Sequence, residues 1–270
     1  TYKRAKQLGM PTPAPWYIES REELLGLDLR FPVALKPAIK EHFVYATKAK
    51  AWRADNRQQL IALYDKAVAQ VGTGEVMIQD LVPGDGSHRF AYCAFFKDGE
   101  SVARMHVCRR RQHPSEFGRA STYVETVEMP DLEALAEKFL RAISFYGLVE
   151  VEFKLDPRDG SLKLLDVNAR TWGYHTVGQA AGVDFPYLLF ADQIGRNVEF
   201  CRGTPGIRWV RLATDVPTAI VDLFKGRLRI GRYLNSLRRA DTESVFSADD
   251  PAPGVMELGL MPYLFVKRGF

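Results

Sequence analysis

The stretch from Leu148 to Tyr174, LVEVEFKLDPRDGSLKLLDVNARTWGY, admits few foldings. Apolar and charged residues alternate on both sides of an Asp-Pro-Arg-Asp-Gly step, the pattern of two β-strands joined by a tight turn. The first strand is expected over Leu148 to Leu155 and the second over Leu162 to Val167, with Pro157, Arg158, Asp159 and Gly160 in the turn. Period-two alternation puts Glu150 and Glu152 on one face and Val149, Val151 and Phe153 on the other. Asp166 and Asn168 likewise share a face. The hairpin thereby brings Glu152, Asp166 and Asn168 within reach of one another, with Arg170 at the exit. Two carboxylates and an amide oxygen so gathered repel unless something positive lies among them, and hard oxygen donors of this kind suit Mg²⁺. A solvated surface hairpin is the plainer alternative, and the apolar opposite face argues against it.

Glu152-Phe153 followed by Leu165-Asp166-Val167-Asn168-Ala169-Arg170 resembles the metal-binding end of the ATP-grasp superfamily, where a carboxylate strand is followed by an E-x-N-x-R strand. Asp166 stands where Glu is more usual and reaches less far. Within the superfamily the pattern is similar to the carboxylate–amine ligase group, including D-aspartate-ligase-like proteins. The resemblance implies an α+β, ATP-grasp fold: two α+β lobes, each a mainly antiparallel sheet with helices on one side, clasping ATP. It implies ATP and Mg²⁺ (or Mn²⁺) as cofactors, Glu152, Asp166 and Asn168 as metal ligands, and Arg170 as the group that stabilises the transferred phosphoryl. It also implies an α/β domain preceding Thr1, which this sequence lacks.

The same resemblance assigns roles upstream. Phe31 to Lys36 is a short apolar strand ending in one lysine before Pro37, and Lys36 matches the lysine that contacts the α- and β-phosphates. Residues 38–52 lie where a glycine-rich flap is usual, yet contain no glycine; Lys40, Lys48 and Lys50 stand there as point charges for phosphate, Lys48 being the assigned one. A basic solvated loop is the alternative. Glu75 to Gly84 reads as a strand running into a Pro-Gly turn, and by resemblance Gln79, Asp80 and Val82 hold the adenine. Asp85 is the ribose acid, with Gly86 at the alternative register.

Ser87 to Glu128 reads as an antiparallel meander whose middle strand ends in Arg109-Arg110-Arg111. Alternation places Arg109 and Arg111 on one face, where guanidinium groups suit a carboxylate or phosphate; the resemblance assigns both to the acid substrate, against the plainer reading of a solvated basic strand. Helices are expected over Asn56 to Ala69 and Asp131 to Phe145, from apolar residues at helical spacing, and from about Phe185 to Ile194. Ser20 with Glu23 reads as a capping box. His175, just past the Asn-x-Arg strand, reads as structural. The tail offers a strand near Ile207 to Ala213, an amphipathic stretch Val216 to Phe224, a basic segment Arg227 to Arg239, and an apolar patch Leu260 to Val266.

The expected division is 1–83 for the lysine-bearing lobe, 84–200 for the metal-bearing lobe and 201–270 for a C-terminal extension packed on them. At 270 residues, with 46% apolar and 26% charged residues, the chain is long enough for two lobes. A net charge of +4 and the absence of a long Lys/Arg run give no nucleic-acid partner. No apolar run reaches ~18 residues, so neither a membrane span nor a membrane partner is expected. Three widely spaced cysteines, Cys93, Cys108 and Cys201, read as reduced thiols of a cytoplasmic protein.

The implied function is an ATP-dependent, ADP-forming ligase that activates a small-molecule carboxylate as an acylphosphate and joins it to an amine. Three rivals stand beside it: a biotin-carboxylase-like or purine-pathway carboxylating enzyme, a nucleotide-binding protein without ligase activity, and a β-rich binding module whose acids are incidental.

Overall fold

The structure, a computed structural model, describes residues 1–37, 49–72, 76–118 and 120–268. Two compact units emerge, Thr1–Pro83 with Asp156–Leu164, and Gly84–Leu155 with Leu165–Phe270. Among the described residues no helix is long and apolar enough to cross a membrane.

The first unit is built on strands β1 (Pro15–Ile18), β2 (Val33–Pro37), β3 (Trp52–Ala54) and β4 (Val76–Asp80). They form an antiparallel sheet in the order β1-β4-β2-β3. Its core side gathers Val33, Leu35, Val76 and Ile78 against Leu60, Tyr64 and Ala67, spaced by four and three along the helix Arg57–Val71. Asn56 caps that helix by accepting from the Gln59 amide at 2.9 Å. Ser20 caps Arg21–Gly26, accepting from the Glu23 amide at 3.2 Å. The expected return bond of the box is displaced by one residue, because the Glu23 carboxylate accepts from the Glu19 amide at 3.0 Å.

The second unit carries β5 (Arg89–Lys97), β6 (Glu100–His113), β7 (Ala120–Val127), β8 (Gly147–Leu155), β9 (Leu162–Asn168), β10 (Cys201–Arg202), β11 (Arg208–Val210) and β12 (Thr242–Glu243). The sheet runs β12-β11-β7-β6-β5-β8-β9, with β10 extending the β7 side of β6. The meander and the acid hairpin form as expected. Helices, however, cover both faces of this sheet rather than one. On one face the helix Pro130–Ala142 is tied down by its Glu137, which accepts from Tyr92 Oη and Ser101 Oγ, each at 3.0 Å. On the other, Ala91, Cys93, Met105 and Val107 pack with Trp172, Tyr174, Val177 and Phe185 around the helices Thr176–Ala180 and Phe185–Gln193. Trp172 and Tyr174, beyond the hairpin, roof its acid face, which no periodicity in the sequence announces.

Two register shifts break the β6–β7 ladder, one between Cys108 and Arg111 and one between Arg111 and Gln112. Cys108 pairs with Glu125 and Arg111 with Tyr123, so these two share a face, although they lie three residues apart in sequence. Strict alternation therefore fails here, and the expected common face of Arg109 and Arg111 is lost. Gly86 sits against the bulge: a Cβ there would lie 1.9 Å from the Arg110 carbonyl oxygen, so only glycine admits the approach. The tail differs in detail from expectation. Its strand is only Arg208–Val210, and helices occupy Leu212–Phe224, Ile230–Arg238 and Ala252–Arg268.

Candidate active site

The ladder registers fix which side chains meet. Glu152 lies opposite Ala91 and Glu150 opposite Cys93 on β5, and both cysteine and alanine belong to the face roofed by Trp172 and Tyr174. Glu150 is consequently 4% exposed and Asn168 7%. Buried carboxylates need partners, and each finds them. Tyr174 Oη donates to Glu150 Oε1. The Asn168 amide nitrogen donates to Glu152 Oε1 at 2.9 Å and to Glu150 Oε2 at 3.2 Å. Arg109, itself buried, pairs with Glu152 through Nη1 and takes Ser121 Oγ on Nε at 2.7 Å.

Electrostatics follow from that enclosure. Burial, and then the neighbouring Glu152 charge, raise the Glu150 carboxyl above its ordinary range. Burial alone would weaken the Arg109 cation, but Glu152 and Glu150 outweigh it and hold the proton more firmly. Burial raises the Tyr174 hydroxyl well above its usual value, keeping it a neutral donor. Arg89 stands near Arg109, and burial followed by that like charge lowers its proton affinity.

An oxygen of Asn168 turned toward two carboxylates would be repelled, so chemistry fixes which end of the amide faces them. The amide oxygen is thereby turned the other way, 3.4 Å from Arg170 Nη2. Asp166, on the same face of β9 as Asn168, is half-buried and accepts from the Val167 amide at 3.0 Å. Among the described residues no group of three or more His, Cys, Asp or Glu side chains is assembled for a metal. A cation here relies instead on two carboxylates and one amide oxygen. That donor set is hard and water-tolerant, and it fits Mg²⁺ or Mn²⁺ rather than a thiolate- or imidazole-seeking ion.

The remaining expected residues fall in several places. Lys36 is on β2 opposite Met77, and Gln79 on β4 opposite Ala34. Gln79 is 2% exposed and its amide nitrogen has no hydrogen-bond partner among the described residues, and Val82 is buried as well. Asp80 is engaged by Arg158 at 2.5 Å, and the same guanidinium holds Asp156 at 2.6 Å. Asp85 caps the short turn Gly86–His88, accepting from the Ser87 amide and hydroxyl at 2.8 and 2.6 Å. Those Ser87 bonds lower its carboxyl to about 2. Arg170 is exposed, and His175 bonds the Trp172 carbonyl at 3.0 Å, as a structural histidine would. Lys40 and Lys48 lie outside the described residues.

Arg111 is displaced from the acid patch by the bulge. It forms a two-pronged pair with the fully buried Asp215 at 2.7 and 2.8 Å, under the rings of Tyr123 and Tyr233. Arg110 pairs with Glu125 at 2.9 Å. Three consecutive arginines thus have three separate partners. Arg109 was an expected site residue, whereas Glu150, expected only to share a face with Glu152, and Tyr174, given no role, are the groups that fix the site from beneath. The i−2 spacing of Glu150 from Glu152 was a signal for the first, and nothing local signalled the second.

The family described as "ATP-grasp in the biosynthetic pathway with Ter operon" matches residues 94–214, which include the arginine strand and the acid hairpin. The chain is 28% identical over 238 residues to the D-aspartate ligase of Enterococcus faecium, covering 81% of this chain and 55% of that protein. The chain therefore spans about half the length of the curated relative it matches. In fold it is similar to the L-amino acid ligase of Bacillus licheniformis, with a TM-score of 0.59, 16% identity and coverage of 76% and 51% of the two chains. It is similar also to the biotin carboxylase domain of Hydrogenobacter thermophilus 2-oxoglutarate carboxylase, with a TM-score of 0.58, 17% identity and coverage of 76% and 47%. The phosphoribosylamine–glycine ligase of Thermotoga maritima gives 0.56, 16%, 77% and 56% in the same measures. Acid hairpin, strand order and these matches together give the chain the ATP-grasp fold.

Proposed function

We propose that the chain is the ATP-grasp part of an ADP-forming carboxylate–amine ligase. The observation that carries this is the linked set of buried Glu150, Asn168 and Arg109 with half-buried Glu152, and Asp166 beside it on β9. A fold neighbour that is a carboxylase and one that is an amino acid ligase have nearly equal TM-scores, 0.58 and 0.59, so fold likeness does not choose between their chemistries. The sequence relative, a D-aspartate ligase, favours the ligase. In this reading a substrate carboxylate attacks the γ-phosphorus of ATP, ADP leaves, and an amine displaces phosphate from the acylphosphate.

Glu152, Asp166 and the amide oxygen of Asn168 would hold Mg²⁺ or Mn²⁺. Bound there, the cation supplies charge neutralisation at the β- and γ-phosphate oxygens. Glu150 and Arg109 act from beneath: they fix the amide of Asn168 and one oxygen of Glu152, so the ligand oxygens are positioned before any ligand arrives. Arg170, exposed at the strand exit, supplies a guanidinium for the transferred phosphoryl group. Lys36 would meet the α- and β-phosphates, and the unpaired Gln79 amide with Val82 would meet the adenine.

Calorimetric titration of Mg-ATP into the protein and its Asn168→Ala and Lys36→Ala variants tests the reading. Saturable, Mg-dependent binding that both changes weaken supports it. ADP release would then be followed over a panel of acids with amines. Binding without any acid- and amine-dependent ADP release reassigns the protein as a nucleotide binder, and wild-type binding indifferent to both changes sinks the site.

A further inference from the structure

The basic segment singled out in the sequence becomes a surface once folded. Lys225, Arg227, Arg229, Arg232, Arg238 and Arg239 are all exposed, and none of these side chains pairs with an acid among the described residues. No Asp or Glu occurs from Leu223 to Ala240. The acids at either end are engaged elsewhere: Asp222 accepts from Ser115 Oγ at 2.7 Å, and Asp241 from the Arg208 amide at 2.8 Å.

Apolar side chains stand among these cations. The helix Leu212–Phe224 exposes Val216, Ile220 and Phe224 at successive steps of four, and Phe224 is 90% exposed at its end. The helix Ile230–Arg238 buries Tyr233 but leaves Ile230 57% and Leu234 45% exposed. They stay so although the helix Ala252–Arg268 already packs on Leu212–Phe224, where Arg211 meets Glu257 at 2.5 Å. Scattered exposed apolar residues need no explanation, but an ordered stripe continued along the chain by cations that pair with no acid among the described residues does.

The occupant must be both anionic and apolar. A second copy of the same face would set six cations against six, which like-charge repulsion opposes. Nucleic acid would take the cations but offers nothing to a protruding stripe of Val, Ile and Phe. The surface of an anionic bilayer satisfies both, with arginines at the headgroups and Phe224, Ile230 and Leu234 at the acyl boundary. We propose that the 212–239 face docks peripherally on an anionic lipid membrane. This departs from the expectation of no membrane partner, which rested on spans and long Lys/Arg runs, and it is independent of the ligase reading.

The test is co-sedimentation of the protein with vesicles of phosphatidylcholine alone and of phosphatidylcholine mixed equally with phosphatidylglycerol. Two variants accompany it, Phe224→Ser and the combined Arg227→Gln, Arg229→Gln and Arg232→Gln, all at exposed positions and each checked by thermal melting. Wild type should bind only the anionic vesicles, and more weakly as salt rises. The triple change should lower partitioning roughly a hundredfold, and Phe224→Ser about tenfold or more. No binding to anionic vesicles, or binding that both variants leave unchanged, overturns the proposal. So does a duplex DNA affinity that the arginine changes abolish and Phe224→Ser does not, in place of vesicle binding. A concentration-dependent dimer that Phe224→Ser dissolves, with no vesicle binding, overturns it in favour of self-association.

Discussion

Arg109 is the charge on which the buried Glu150 and the half-buried Glu152 depend. Replacing it with Met keeps much of the side-chain volume but leaves Glu150 and Glu152 uncompensated, at a cost of about 3–5 kcal/mol. Without the cation the Glu150 carboxyl titrates higher still, so the variant should recover ground as pH falls. Urea melts at pH 5 and pH 8 should show the gap to wild type narrowing at pH 5; an equal gap at both would mean that lost packing, not charge, sets the cost. His106 gives the opposite slope. The Met129 amide donates to its Nδ1 at 3.1 Å, and burial, followed by the nearby Arg202, lowers its pKa to about 4. Glu128 and then Glu137 pull the other way and do not win, and the Glu133 carboxylate lies 3.2 Å from Nε2 without hydrogen-bond geometry. The folded state refuses a proton that the unfolded chain accepts below ~6.5. Its contribution is therefore complete above pH 6.5 and lost as pH falls toward 4. The Tm should drop between pH 7 and pH 5, and drop less in His106→Gln.

At the scale of elements, the legible parts were those where one period held over the whole segment. The hairpin, the helices Arg57–Val71 and Pro130–Ala142 and the meander obey a period of two or 3.6, and their bounds agree with expectation to within a few residues. The bulged end of β6 does not. Bulges insert residues without a residue type to announce them, and an Arg-Arg-Arg run gives alternation nothing to show. What announced it, in retrospect, was Gly86, distant in sequence and required by the Arg110 carbonyl at its Cα. Gly86→Ala should accordingly cost on the order of 1–3 kcal/mol through overpacking. Denaturant melts check this, and a change within error would show that the turn Gly86–His88 yields freely.

For the whole molecule, the division of the chain was half legible. A boundary after Pro83 coincides with a Pro-Gly step that any reader marks as a turn. That the hairpin tip, Asp156–Leu164, belongs with the first unit was not legible, because it depends on contacts made far along the chain. Leu164 donates to the Pro11 carbonyl at 2.9 Å, and Arg158 reaches Asp80. Arg158→Ala should therefore loosen the end of β4, seen as faster amide exchange at Met77 to Asp80 with β5 and β6 unchanged. Uniform acceleration across both units would contradict that local account.

The arginine run has one more implication. Because residues 109, 110 and 111 are identical, a folding strand that slips by a single place still offers a guanidinium at two of the three places held by the acids, Glu125 and Asp215, and only the third receives Cys108 or Gln112. Side-chain identity thus provides weak proofreading of this alignment. A second check is steric and resides elsewhere, in the gap that Gly86 leaves for one particular carbonyl. A slipped strand keeps most of its charge partners but not that vacancy, so in this corner of the fold the smallest residue does much of the spelling.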